Sequence, residues 1–187
     1  MLAVKHLTRA ELEAGLAEIK QAPQDNGVLE MIVRRPAVDE REVLEEGQLD
    51  LEVGLVGDNW IERPSRHMPD KKSAHPEMQL NVMNVRVTKL IAQDKARWQL
   101  AGDQLLVDLD LSEANLPAGT QLAIGTAVIE ITPQPHNGCK KFTERFGKDA
   151  VIFVNSAEGK QLHLRGVCAK VVQPGTIQAG DVVRKVV

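Results

Sequence analysis

Tyrosine is absent from this chain, and the only aromatic side chains are Trp60, Trp98, Phe142, Phe146 and Phe153. Nucleic-acid binders usually combine stacking rings with a basic surface, and here the formal net charge is −3 with a pI near 6.0. That class is disfavoured. Cysteine is equally scarce: Cys139 and Cys168 are too few for a disulfide framework. No apolar run approaches the roughly 18 residues of a membrane span, and the N-terminus lacks a basic, apolar, small-residue succession. The expectation is a cytoplasmic protein, away from membranes, with both thiols reduced.

What is present is an ordinary soluble composition, 43% hydrophobic and 26% charged over 187 residues. That length supports one core, and no repeat, low-complexity tract or linker divides it. Residues 1–187 are read as a single domain, with 1–22 as an N-terminal helical extension. Thr8 and Glu11 have capping-box spacing, and Leu12, Leu16 and Ile19 recur at helical intervals after them. This helix is expected to lie on the outside of the fold.

Next, "GVLEMIVRRP" and "LDLEVGLVGDNW" read as strands, and the acidic "DEREVLEEG" between them as a solvated connection. In "EMQLNVMN" the alternation predicts one core face and one polar face. Asn84 is placed to cap a helix over "VRVTKLIA", whose Val87, Leu90 and Ile91 form an apolar stripe. From residue 104 onward, short strands separated by Gly and Pro point to a barrel or sandwich. The fold is expected to be mainly β, with two or three short helices.

The stretch "PQPHNGCKKFTERFG" sets a thiol where a turn enters a helix. Prolines 133 and 135 end the preceding strand, His136-Asn137-Gly138 make a turn, and Gly147 is a fitting stop. Cys139, Phe142 and Phe146 fall on one helical face, so the sulfur looks inward or into a cleft. In a first helical turn, with Lys140 and Lys141 beside it, a thiol is biased toward the nucleophilic, soft-metal-binding thiolate. The alternative is a small residue packed against two rings, and spacing alone leaves both open.

Several elements together, "VGLVGDNW", "QLNVMNVRV", "AGDQLLVDLDLSEANLPAGTQLAIG", "PHNGCKKFTERFG" and "LRGVCAKVVQPGTIQAGD", resemble a small stand-alone MOSC domain, the module named from the C-terminal part of molybdenum cofactor sulfurases. The resemblance spans nearly everything after the N-terminal helix. It implies a distorted β-barrel and a cysteine, here Cys139, that carries sulfur or ligates molybdenum. It also implies the molybdopterin form of the cofactor, and a cysteine desulfurase or redox protein as partner. Relatives of the hydroxylamine-reducing type carry an "HGG" stretch that this chain lacks. The pyridoxal-phosphate domain of the sulfurases has no counterpart at this length, so no pyridoxal phosphate is expected.

Asp58 and Asn59, after Gly57, are either a strand-ending turn or contacts to a pterin or phosphate, and the resemblance favours contacts. Asn81 and Arg86 are further cofactor candidates, with solvation and capping as competing explanations. Arg145, near the cysteine helix, and Arg165, in an expected strand, offer guanidinium donors to an anionic group. His136, His163 and the two cysteines give only a weak zinc pattern, because a strand would place His163 and Cys168 on opposite faces. Cys168 in "VCAKVV" reads as core. A cysteine hydrolase using His136 or His163, and a binding module without chemistry, stand as alternative functions.

Overall fold

The computed structural model describes residues 5–186. Eleven strands are formed: β1 (Gly27–Arg34), β2 (Glu42–Leu44), β3 (Glu46–Asp50), β4 (Gly54–Leu55), β5 (Leu80–Asn84), β6 (Leu105–Asp108), β7 (Gln121–Ile124), β8 (Ala127–Ile131), β9 (Val167–Gln173), β10 (Gly175–Gln178) and β11 (Val182–Lys185). Among the described residues six short α-helices accompany them: α1 (Arg9–Ala14), α2 (Leu16–Ile19), α3 (Val85–Ala92), α4 (Lys140–Phe146), α5 (Lys148–Asn155) and α6 (Ala157–Gln161).

The main sheet runs β11-β7-β8-β9-β5-β6-β1, and pairing of β1 back onto β11 closes it into a seven-stranded barrel. Closure leaves no free edge among these seven strands. β2 adds to the far end of β1, at Ile32 to Arg34, beyond the Gly27–Val183 pairing that closes the barrel. β5 and β6 are parallel, whereas the other pairings are antiparallel. A small sheet β10-β3-β4 lies beside the barrel, with β3 and β4 contributing Leu49 and Leu55 to the same core.

Strand periodicity sorts the apolar residues into two cores. Leu29, Ile32, Leu80, Val82, Leu105 and Val107 point into the barrel. Met31, Val33, Met83 and Leu106 point outward, under Leu12, Ile91, Phe142, Phe146, Phe153 and Leu164. A strand covered on both faces need not alternate in polarity. This corrects the expected polar face of residues 77–84: Met83 is fully buried, Gln79 is buried too, and within β5 only Asn81 is half-buried.

The expected mainly β barrel is present, and so is the Asn84 cap on α3, where the side chain accepts from the Arg86 N–H at 2.7 Å. The Thr8–Glu11 capping box also forms. Its helix is shorter than expected, breaking at Gly15, and it lies on the outside of the fold, exposed except for Leu12, which belongs to the outer core. The acidic "DEREVLEEG" forms β2 and starts β3 rather than a free connection. Its side chains stay polar because β2 is an edge strand whose Val43 is exposed. Helices α5 and α6 carry no expectation from the sequence, so helices are more numerous than the reading allowed.

Candidate functional site

Pro133 to Gly138 cross from the end of β8 to the start of α4 with no regular structure. Two contacts fix the end of this segment. Gly138 donates from its N–H to Asn155 Oδ1 at 2.9 Å and accepts from Asn155 Nδ2 at 3.2 Å, tying the segment to α5. A Cβ at position 138 would lie 2.7 Å from Val151 Cγ2, so the approach requires glycine.

Cys139 is the N-cap of α4, in extended backbone conformation, rather than a residue of its first turn. Phe142 and Phe146 are buried, with ring centroids 5.0 Å apart, whereas Cys139 is exposed. Of the two expected environments for the sulfur, the structure forms the cleft. That cleft is about 380 Å³ in volume.

Its lining is strongly cationic: Arg35, Arg41, Arg63, Arg66, Lys141, Arg145 and Arg165 all border it, and no carboxylate does. Four of these cations are paired with carboxylates outside the lining. Buried Arg35 is held by Asp58 through two bonds, Nε to Oδ2 at 2.8 Å and Nη2 to Oδ1 at 2.7 Å. Lys141 and Arg145 share Asp39, at 2.8 and 3.1 Å. Arg165 places Nη1 at 2.9 and 2.7 Å from the two oxygens of Asp103 and lies over the Phe142 ring, 4.9 Å from its centroid.

Arg41, Arg63 and Arg66 form no ion pair among the described residues. Burial, with Arg145 and Arg35 nearby, pushes the Arg41 guanidinium below its ordinary range, and burial with Arg35 does the same to Arg63. Arg41 Nε is a buried donor without an acceptor. Uncompensated cations in a concave site attract an anion.

His136 lies beside this cluster, nine-tenths buried, with Nδ1 3.4 Å from Asp103 Oδ1. Burial first, then Arg165 and Arg35, hold its pKa well below the ordinary histidine value, so the ring is neutral. Burial pushes the Asp103 carboxyl up, against the opposing pull of Arg165. No hydrogen bond joins His136 or His163 to Cys139 among the described residues. The hydrolase dyad therefore has no geometry to support it.

The structure gathers Asn81, Arg145, Arg165 and Cys139 around one cleft. Asp58 sits behind its wall: it caps a 3-10 turn over Asn59–Glu62 through the Trp60 N–H at 3.0 Å while holding Arg35. Asn59 follows in that turn with Oδ1 buried and unpartnered, outside the cleft lining. Arg86 is placed elsewhere, bonded to Asp108 at 2.7 and 3.1 Å and to the Glu18 carbonyl at 3.0 Å.

Arg165 and His163 are not in a strand, as the sequence reading expected. His163 occupies a turn after α6 with φ of 47°, and β9 begins only at Val167. Among the described residues no group of three or more His, Cys, Asp or Glu side chains could hold a metal ion. Cys168 is fully buried and donates to Asn81 Oδ1 at 3.6 Å. Arg35, Arg41, Arg63 and Arg66 were not singled out from sequence. Their clustering depends on β1, the β1–β2 loop and the segment after the 3-10 turn meeting in space, and the only signal was arginine at 34–35 and 63–66.

Solved structures share this architecture. YuaD from Bacillus subtilis matches with a TM-score of 0.60 at 14% identity, over 84% of this chain and 94% of that one. A hypothetical protein matches at 0.57 with 21% identity, over 88% and 70%. YiiM from Escherichia coli matches at 0.53 with 21% identity, over 86% and 70%. At these identities the likeness is one of fold. Among curated proteins, none matches the chain. The MOSC domain model matches residues 70–184, which include β5 to β10, the cysteine turn and α3 to α6. On that match the chain belongs to the MOSC domain family, a family associated with the molybdenum cofactor.

Proposed function

We propose that the arginine cleft binds the molybdenum cofactor in its molybdopterin form and that Cys139 supplies sulfur there, as ligand to molybdenum or as carrier of a sulfane sulfur. One observation carries this reading: the exposed thiol shares its cleft with seven basic side chains and no carboxylate.

The donor set fits such a group. Thiolate is a soft ligand suited to a soft metal or to sulfane sulfur, which neither hydroxyl nor carboxylate replaces well. The anionic phosphate of a pterin cofactor matches guanidinium forks, and Arg41, Arg63 and Arg66 are the ones without a protein carboxylate. When bound, the cofactor would supply redox chemistry at its metal. The chain would hold it: Arg35, fixed by Asp58, and Arg165, fixed by Asp103, would form donor-bearing walls that need no rearrangement. Asn81, half-buried at the same cleft, offers an amide to a heterocycle.

In the carrier version the Cys139 thiolate attacks the sulfane sulfur of a desulfurase persulfide. A new S–S bond forms on Cys139, and the donor leaves as thiolate. A cysteine desulfurase or a redox protein is accordingly the partner class.

The test is molybdenum and pterin analysis of protein made in cells supplied with molybdate, for wild type and Cys139→Ser. Wild type is expected to retain both or to accept a persulfide, and the Ser variant to lose molybdenum or persulfide. Retention of every ability by Cys139→Ser overturns the role of the thiol. A variant that loses persulfide but keeps pterin would instead identify a cofactor-binding module built by other residues.

A further inference from the structure

On the far side of the Pro133–Asn137 segment lies a second cavity of about 410 Å³. It meets the arginine cleft at three residues common to both linings, His136, Asn137 and Arg165. Cys139 does not line it, and the reading of the thiol does not use it.

The electrostatics of this chamber differ from those of the cleft. Its floor is apolar, made of buried Leu116, Ile131, Val154 and Val167. Its polar groups leave no net charge for an ion to meet. The Arg165 charge is answered through two bonds to buried Asp103. At the mouth, exposed Lys160 and Glu113 have opposite signs. His136 is neutral for the reasons given above.

Two buried nitrogens at the shared wall have no hydrogen-bond partner, His136 Nδ1 and Arg165 Nε, and of these the guanidinium N–H is the strong donor. Arg165 is more than nine-tenths buried, and its Nε–H reaches no acceptor, while Nη1 and Nη2 bond Asp103 and the Ala101 carbonyl. A buried unpaired donor of this kind is rare, because leaving it unmade costs as much as a lost hydrogen bond.

We infer that this second cavity is a binding site for a small uncharged organic molecule with an apolar body and a carbonyl-type acceptor, held beside the anion site of the arginine cleft. Apolar walls with a few polar groups at one end are the usual make-up of small-ligand pockets, and this volume suits a molecule of one or two rings. The body lies against Leu116, Ile131, Val154 and Val167, and its acceptor takes the Arg165 Nε–H. An anion gains nothing here that it would not gain more fully in the cleft.

The experiment uses benzamide as the uncharged probe and benzoate as its anionic isostere, followed by amide chemical shifts of the intact protein. Benzamide is expected to shift Thr132, Gly159 and Gly166 saturably at millimolar concentrations, and benzoate to bind those positions at least ~5-fold more weakly. Ala118→Trp, at the exposed edge of the cavity, should abolish the shifts. Lys160→Ala and Glu113→Ala should each leave the benzamide affinity within about twofold, since neither charge is used. Cys139→Ser should change nothing, so failure of the molybdenum reading would leave this result standing. Unsaturable shifts, benzoate binding as tightly at these amides, loss of benzamide binding in Lys160→Ala, or insensitivity to Ala118→Trp would each overturn the assignment.

Discussion

The side chain of Asn155 brackets Gly138 on both sides, accepting from its N–H at 2.9 Å and donating to its carbonyl at 3.2 Å. A helix residue thereby does for the cysteine turn what a neighbouring strand would do for a sheet. Asn155→Ala removes both bonds and should destabilise the protein by roughly 1–3 kcal/mol, lowering the melting temperature by about 3–8 °C. Asn155→Asp keeps the acceptor and should fall between. A thermal scan with no shift for Asn155→Ala would show that the turn is held by other contacts.

The Arg35–Asp58 pair supports the cleft from inside. Both side chains are buried, and Asp58 also takes the Arg35 N–H at 3.0 Å and the Trp60 N–H at 3.0 Å. Removing the carboxylate strands a buried guanidinium, so Asp58→Ala should cost about 3–5 kcal/mol in chemical denaturation. A loss below about 1 kcal/mol would contradict the pairing.

The two thiols should separate cleanly under alkylation. Cys139 is exposed, whereas Cys168 is fully buried, and burial with Asp103 nearby pushes its thiol up to about 12. In the folded protein at neutral pH, peptide mapping should find iodoacetamide on Cys139 at a rate on the order of 100-fold above Cys168. Denaturant should remove the difference. Comparable labelling in the native state would refute the placement.

Stability should fall on the acid side through His136. Its folded pKa is depressed, so below about 6.5 the unfolded chain binds a proton that the folded one refuses, and stability drops as pH falls toward the folded value. The slope from this group approaches about 1.4 kcal/mol per pH unit. Cys168 acts in the other direction: its pKa is raised from 9.0 to about 12, so its contribution is present below 9.0 and is lost as pH rises through that window. Urea midpoints between pH 5 and 7 should be flatter for His136→Gln than for wild type. Parallel profiles would remove His136 from the account.

Local chemistry was sufficient for much of this protein. Thr8–Glu11 and Asn84 capped helices where their spacing indicated, because a cap needs only residues a turn away. Short strands broken by Gly and Pro announced a barrel or sandwich, and a proline-flanked turn set Cys139 at the entrance of a helix with both Phe rings on its buried face. What the sequence could not decide depended on partners far along the chain. The acidic 39–47 segment became strand because β1 offered it an edge, and outward-pointing Met83 became buried because residues of α1, α3, α4 and α5 cover that face of β5 and β6. Arg86 and Arg165 look alike in one dimension. One found Asp108 at the end of the neighbouring strand β6 and left the cleft, while the other found Asp103 and stayed. The cleft's charge has the same origin: seven cations from distant segments converge, and the acids that answer four of them, buried Asp58 and Asp103 and exposed Asp39, lie outside its lining, an arrangement that net charge of −3 does not foreshadow.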